Sequence, residues 1–316
     1  MKAPFPYFGG KRTVAANVWR ALGQPKRYIE PFFGSGAVLL NRPGGDPRDH
    51  IETICDADGH IANVWRALQA DPDAVAKVCD WPVNHADLSA RKMRLCREQR
   101  DLLGKLTTDP DYYDATLAGY WIWAASCWIG SGMTSPGQRP HISGGGKGVH
   151  AMGQIPHISR GGKGVQEPYT PSIYTWFREL SERLRRVQVV CGDWPRVCGG
   201  NWQDASGIVG MFFDPPYGCV DRDTDIYAHD STDVAHEVRD WCLSRGDNPR
   251  YRIVLAGYEE HVELERHGWR VEQWSANGGY GNIGKDDTGA AANRHRECLY
   301  YSPHCLDTAR QTALEY

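Results

Sequence analysis

Lys26-Arg27-Tyr28-Ile29-Glu30-Pro31-Phe32-Phe33-Gly34-Ser35-Gly36-Ala37-Val38-Leu39-Leu40-Asn41 is the stretch that decides the fold. Lys26 to Phe33 predicts a strand, Gly34-Ser35-Gly36 a turn, and Ala37 to Asn41 a helix that continues from it. His50 to Asp56 then predicts a second strand and Ile61 to Leu68 a second helix. Strands separated by helices need crossover connections, so this order predicts a parallel sheet in an α/β domain.

The same texture returns after Ser172. Ser172 to Arg186 predicts a helix, Val187 to Cys191 a strand running into Gly192-Asp193-Trp194, and Ile208 to Phe213 a buried strand ending at Asp214-Pro215-Pro216-Tyr217. A helix from Asp233 to Ser244, capped by Ser231 or Thr232, and strands at Tyr251 to Ala256, near Trp269 to Trp274 and at Glu297 to Tyr301 complete the series. Between the two halves the pattern changes. Asp87 to Leu106 is a charged amphipathic helix and Ala115 to Trp128 an aromatic-rich one. A Gly-rich region follows with an internal repeat, PHISGGGKGV from Pro140 to Val149 and PHISRGGKGV from Pro156 to Val165. So much glycine argues against a packed core. The expected organisation is one α/β domain formed by residues 1–80 and 169–316, interrupted by a mainly helical insertion at 81–168.

Composition narrows the function classes. The chain has 316 residues, 41% hydrophobic and 24% charged, with a formal net charge of -3, which excludes disordered and collagen-like classes. No window approaches the roughly 18 consecutive apolar residues of a membrane span, and residues 1–22 lack the apolar core of a signal peptide; a cytoplasmic protein with no membrane partner is expected. The 10 cysteines include no CxxC pair and are expected to be reduced thiols. His295, Cys298, His304 and Cys305 fit no zinc spacing, so no metal is expected. From Ala115 to Gln166 there is no Asp or Glu, whereas Arg139, Lys147, Arg160 and Lys163 are present. An acid-free, glycine-rich segment in an acidic protein makes either a local anion-binding face or an exposed basic loop.

The chemistry sits at the strand ends. Gly34 and Gly36 follow a strand and precede a helix, where glycine lets backbone approach a ligand; a tight turn with no ligand needs the same residues. Asp56, at the end of the next strand, can accept hydrogen bonds from both hydroxyls of a ribose, while Asp58 is better placed to cap the following helix. The three-glycine dinucleotide pattern is absent, which argues against nicotinamide cofactors. Gly146-Lys147-Gly148 and Gly162-Lys163-Gly164 lack the Ser or Thr of a phosphate loop, which argues against ATP. Asp214-Pro215-Pro216-Tyr217 follows the apolar run Val209 to Phe213, so its carboxylate emerges at the carboxyl end of a central strand. Two prolines fix the backbone and remove two N–H donors. A carboxylate, a carbonyl and an aromatic ring together suit a planar group bearing NH₂.

Pro31-Phe32-Phe33-Gly34-Ser35-Gly36 and Asp214-Pro215-Pro216-Tyr217, with Pro6-Tyr7-Phe8-Gly9-Gly10-Lys11-Arg12 upstream, resemble the Dam-type (D12 class) AdoMet-dependent DNA adenine-N6 methyltransferases. Asp56, Asp193-Trp194 and the stretch Asn293-Arg294-His295-Arg296-Glu297-Cys298-Leu299 agree with it. The resemblance covers the two sheet-forming ends. It implies a Rossmann-like, doubly wound, mostly parallel sheet with an inserted helical target recognition domain, and S-adenosyl-L-methionine as cofactor. By the same resemblance Tyr7, Lys11, Pro31, Gly34 and Gly36 line the cofactor pocket, Asp56 holds its ribose, Asp193 bonds its adenine and Trp194 packs on that ring, with core packing an equal alternative for Trp194. Asp214, Pro215, Pro216 and Tyr217 form the catalytic motif, and Asp214 sits between cofactor and substrate.

The expected function is methyl transfer from AdoMet to a flipped-out adenine in double-stranded DNA, with no metal; the oligomeric state is left open, a monomer being one option. Arg139, Lys147, Arg160 and Lys163 are the expected DNA contacts. The biological setting is a restriction-modification system or an orphan bacterial or phage methylase. Cytosine N4, RNA adenine and a glutamine amide are rival NH₂ acceptors, and an inactive DNA-binding relative is the rival of another class.

Overall fold

Segments of four to seven residues, most of them rich in β-branched and aromatic side chains, form the strands of one sheet. In the computed structural model, residues 1–5, 11–44, 48–128, 133–134, 172–200, 202, 207–216, 232–274 and 297–306 are described. They fall into two compact units, Met1–Tyr7 with Asp56–Arg185, and Phe8–Cys55 with Arg186–Tyr316. The strands are β1 (Arg27–Glu30), β2 (Ile51–Asp56), β3 (Val187–Cys191), β4 (Val209–Phe213), β5 (Tyr251–Gly257), β6 (Arg270–Gln273) and β7 (Cys298–Tyr301). Their order across the sheet is β3-β2-β1-β4-β5-β7-β6.

β1 is central and parallel to both neighbours, with Ile29 opposite Thr53 on one side and Met211 on the other. β4 runs parallel to β5, and β7 is antiparallel to β5 and β6. The mostly parallel α/β sheet predicted from the sequence is therefore present. The strand order reverses between β1 and β4, which is where open α/β sheets bind ligands outside their carboxyl ends.

Strand alternation sends successive side chains to opposite faces. On one face Ile29, Met211, Phe213, Ile253 and Leu255 pack with Val238 and Cys242 of helix α7 (Thr232–Arg245). Tyr28 points the other way, and its ring lies 4.6 Å from that of Trp19 in helix α1 (Ala15–Leu22). Ala15, Val18, Trp19 and Leu22 fall on one stripe of α1 and all are buried. Each such fully buried large side chain contributes about 1.5–3 kcal/mol.

The other unit is helical: α2 (Gly59–Ala70), α3 (Pro72–Cys79), α4 (His85–Thr108), α5 (Ala115–Cys127) and α6 (Ile173–Leu184). Each begins at a side-chain cap. Asp58 accepts from His60 N, Asp71 from Ala74 N, Asn84 from Asp87 N, Asp114 from Leu117 N and Ser172 from Thr175 N. α5 is buried on most of its circumference, and α2, α3 and α4 pack around it. A Cβ at Gly119 would lie 2.5 Å from Val78 Cβ, so glycine permits the close approach of α5 to α3.

One expectation needs correction. Ala37 to Asn41 is not an α-helix; only a 3-10 turn at Leu39–Asn41 forms, because Pro43 forces Arg42 into an extended conformation and stops the chain there. α1, α3 and a 3-10 segment at Glu259–His267 were not expected. The nine cysteines among the described residues are free thiols. No helix of the described residues is long and apolar enough to cross a membrane, and no group of three or more His, Cys, Asp or Glu among them could hold a metal ion.

Candidate active site

The carboxyl ends of β1, β2 and β4 carry the predicted residues. β1 runs into Pro31 and then the Gly34-Ser35-Gly36 turn, in which Gly34 and Gly36 have φ of 47° and 65°. A Cβ at Gly36 would meet the Phe33 ring at 2.5 Å, and Gly36 N donates to Phe33 O at 2.8 Å. The turn's own packing therefore accounts for glycine at 36. Phe33 N donates to Cys55 O at 3.0 Å, and the Cys55 thiol donates to Gly192 O at 3.1 Å. These bonds tie the ends of β1, β2 and β3 together.

Asp56 is the last residue of β2, and its Oδ1 accepts the N–H of Asp58 at 2.9 Å. Asp58 caps α2 through His60 N at 2.8 Å, the role its position suggested. Asp193 is exposed, two residues past β3. Trp194 packs edge-on against Phe213 and Trp241, with ring centroids 6.4 and 6.5 Å away, so it is part of the core on that face.

Asp214 leaves β4 directly, held by the fully buried strand Val209–Phe213 behind it and by buried Pro215 after it. Lys11 Nζ lies 3.2 Å from Asp214 Oδ1 and 3.6 Å from Glu297 Oε2. The lysine is only 3% exposed, and its ammonium lies 5.6 Å from the centre of the Trp274 ring. Lys11, Asp214, Glu297 and Trp274 thus form one cluster at the end of the sheet.

Glu30, the last residue of β1, feels the charge of Asp214. It is 2% exposed, and Tyr28 Oη donates to its Oε2 at 2.7 Å. Burial holds its carboxyl well above the usual carboxylate range, opposed by the Tyr28 hydrogen bond and reinforced by the charge of Asp214.

Of the expected site residues, the fold brings Lys11 and Asp214 into contact and places Pro31, Gly34, Gly36, Asp56, Asp193 and Pro215 at strand ends. Pro216 follows Pro215 and is half-buried. Tyr7, Tyr217, Arg139, Lys147, Arg160 and Lys163 lie outside the described residues. Glu30, Trp274 and the partnership of Glu297 were not expected. A glutamate closing a buried strand, where a carboxylate has little water to face, is the signal that could have found Glu30.

A doubly wound sheet with an antiparallel β7, and with carboxylates at its carboxyl edge, is compatible with a methyltransferase fold. Residues 7–93 match a family model described as D12 class N6 adenine-specific DNA methyltransferase. That span contains Lys11, Glu30, Gly34, Gly36 and Asp56 and stops short of Asp214 and Glu297. The family implies N6 methylation of adenine in DNA with S-adenosylmethionine as methyl donor. No curated protein matches the chain.

Proposed function

We propose that the protein is a site-specific DNA adenine-N6 methyltransferase that takes its methyl group from S-adenosyl-L-methionine. The observation that carries this reading is the pairing of Lys11 with Asp214 at the carboxyl end of β4, beside the switch point of the sheet. S-Adenosylmethionine supplies an electrophilic methyl on a sulfonium. The donor set fits it: Asp56 offers a carboxylate for ribose hydroxyls, Asp193 an exposed acceptor for an adenine amino group, and the Gly34-Ser35-Gly36 turn, with both glycines at positive φ, a strand-to-helix backbone of the kind that lies under a nucleotide. Tyr7 and Trp194 complete the proposed pocket, Trp194 by the edge it leaves outside the core.

The chain's own groups act on the acceptor. An exocyclic adenine amine is a weak nucleophile because its lone pair is delocalised into the ring. The Asp214 carboxylate and Pro215 carbonyl accept its two N–H bonds and favour the pyramidal amine, while Pro216 keeps the backbone rigid. Positioning and electrostatics carry the step. Reaching N6 in a duplex requires the base to leave the stack, with Tyr217 as the stacking partner. The insertion at 81–168 serves as the target recognition domain, and Arg139, Lys147, Arg160 and Lys163 contact phosphates.

Transfer of labelled methyl groups to unmethylated duplex DNA tests the reading. Wild-type protein is expected to transfer label, and Asp214→Ala to lose at least about 100-fold in kcat while melting as a folded protein. Full activity in that variant would overturn the role given to Asp214.

A further inference from the structure

Lys11 stands between two carboxylates, of which only Asp214 has a role in the chemistry above. Glu297 immediately precedes β7, and its carbonyl accepts Trp274 N at 3.0 Å, so the β6–β7 ladder fixes its backbone. It is 9% exposed, and its Oε2 lies 3.6 Å from Lys11 Nζ. The Trp274 ring closes a further side of the ammonium. A lysine facing a single carboxylate would give that group its full charge and compete with any other donor for it. A lysine shared by two leaves Asp214 with more of its negative charge and its capacity to accept.

We propose that Glu297 is a positioning residue for methyl transfer: it holds Lys11 between itself and Asp214, and so keeps the Asp214 carboxylate available to the substrate amine. The proposal rests on the methyltransferase reading for its chemistry, but the pairing itself rests on the distances. Removing the Glu297 charge lets Lys11 settle on Asp214. The turnover step then suffers, whereas binding of either substrate does not depend on this charge.

The test is a double-mutant cycle of Lys11→Met, Glu297→Gln and the combination, followed by kcat, both KM values and the melting temperature. Glu297→Gln is expected to lower kcat roughly 10- to 100-fold, within the range of coupling between residues of one salt-bridge network, with each KM changed less than about threefold. In the Lys11→Met background the same change is expected to do nothing further, and Glu297→Asp to restore part of the rate. An equal loss of kcat in both backgrounds, or a lowered melting temperature with kcat intact, would overturn the proposal. If wild-type protein leaves DNA adenine unmethylated, the functional reading fails by itself. The cycle on melting temperature then decides the pairing: additive effects reject it and non-additive effects support it.

Discussion

Lys11 Nζ lies 3.2 Å from Asp214 Oδ1, joining the turn that precedes α1 to the residue that follows β4. Two glycine-rich or proline-rich motifs far apart in the sequence thus meet as an ion pair at the carboxyl edge of one sheet. The lysine side chain is 3% exposed and that of Asp214 21%. Lys11→Met leaves Asp214 and Glu297 facing each other without the intervening cation. A loss of about 2–4 kcal/mol is expected, below the fully buried range because Asp214 still meets water. Lys11→Arg, which keeps the charge, should recover part of it, and denaturant unfolding at neutral pH measures both.

Gly36 adopts φ 65° with the Phe33 ring 2.5 Å from where a Cβ would stand. Gly36→Ala should therefore cost about 1–3 kcal/mol through strain and displacement of the ring. If the turn also approaches the cofactor, the shift in melting temperature induced by S-adenosylmethionine should shrink in the same variant. An unchanged shift would confine Gly36 to its structural role.

His261 is fully buried, with its ring edge-on to Tyr300 at 5.7 Å. Burial, assisted by the charges of Arg239 and His236, pushes its pKa down to about 4 from 6.5. A depressed pKa means that the neutral form is the folded one. Its contribution is complete above pH 6.5 and is lost as pH falls toward about 4. His261→Phe keeps the ring and removes the proton, so the stability of the variant should fall less steeply between those two values than that of wild type. Urea midpoints across that window read the difference.

In the helical unit, Lys92 is 5% exposed; its ammonium donates to Met133 O at 2.9 Å and lies 5.3 Å from the centre of the Trp128 ring. Four residues on, the Cys96 thiol donates to Thr134 O at 3.1 Å. Successive carbonyls are thus gripped from one face of α4. Lys92→Met should cost about 1–3 kcal/mol by leaving a carbonyl short of its charged donor. The loss should appear as proteolytic cleavage nearer Trp128 than in wild type.

The sequence makes β2, β3, β4 and β5 legible because each is a short run rich in apolar residues that ends at, or just before, an Asp or Gly, and that pattern also marks Asp56 and Asp214. α1 is harder to see: it has eight residues, and no side chain caps its N-terminus. α3 is hidden because Asp71 closes α2 and opens α3 at once, with no intervening turn. Spacing places Lys11 and Asp214 in separate motifs, and their partnership with Glu297 is a property of the folded sheet. Glu30 is similar. Its raised pKa comes from burial beside Tyr28 and Asp214, which no local pattern records.

The central claim is N6 methylation of adenine in DNA, and nucleoside mass spectrometry measures it most directly. Unmethylated duplex DNA is incubated with the protein and S-adenosylmethionine, digested to nucleosides and analysed. N6-methyldeoxyadenosine, formed by wild type and lost in Asp214→Ala, is the predicted result. Methyl appearing only on cytosine N4, or no DNA methylation by protein that binds S-adenosylmethionine, would contradict it.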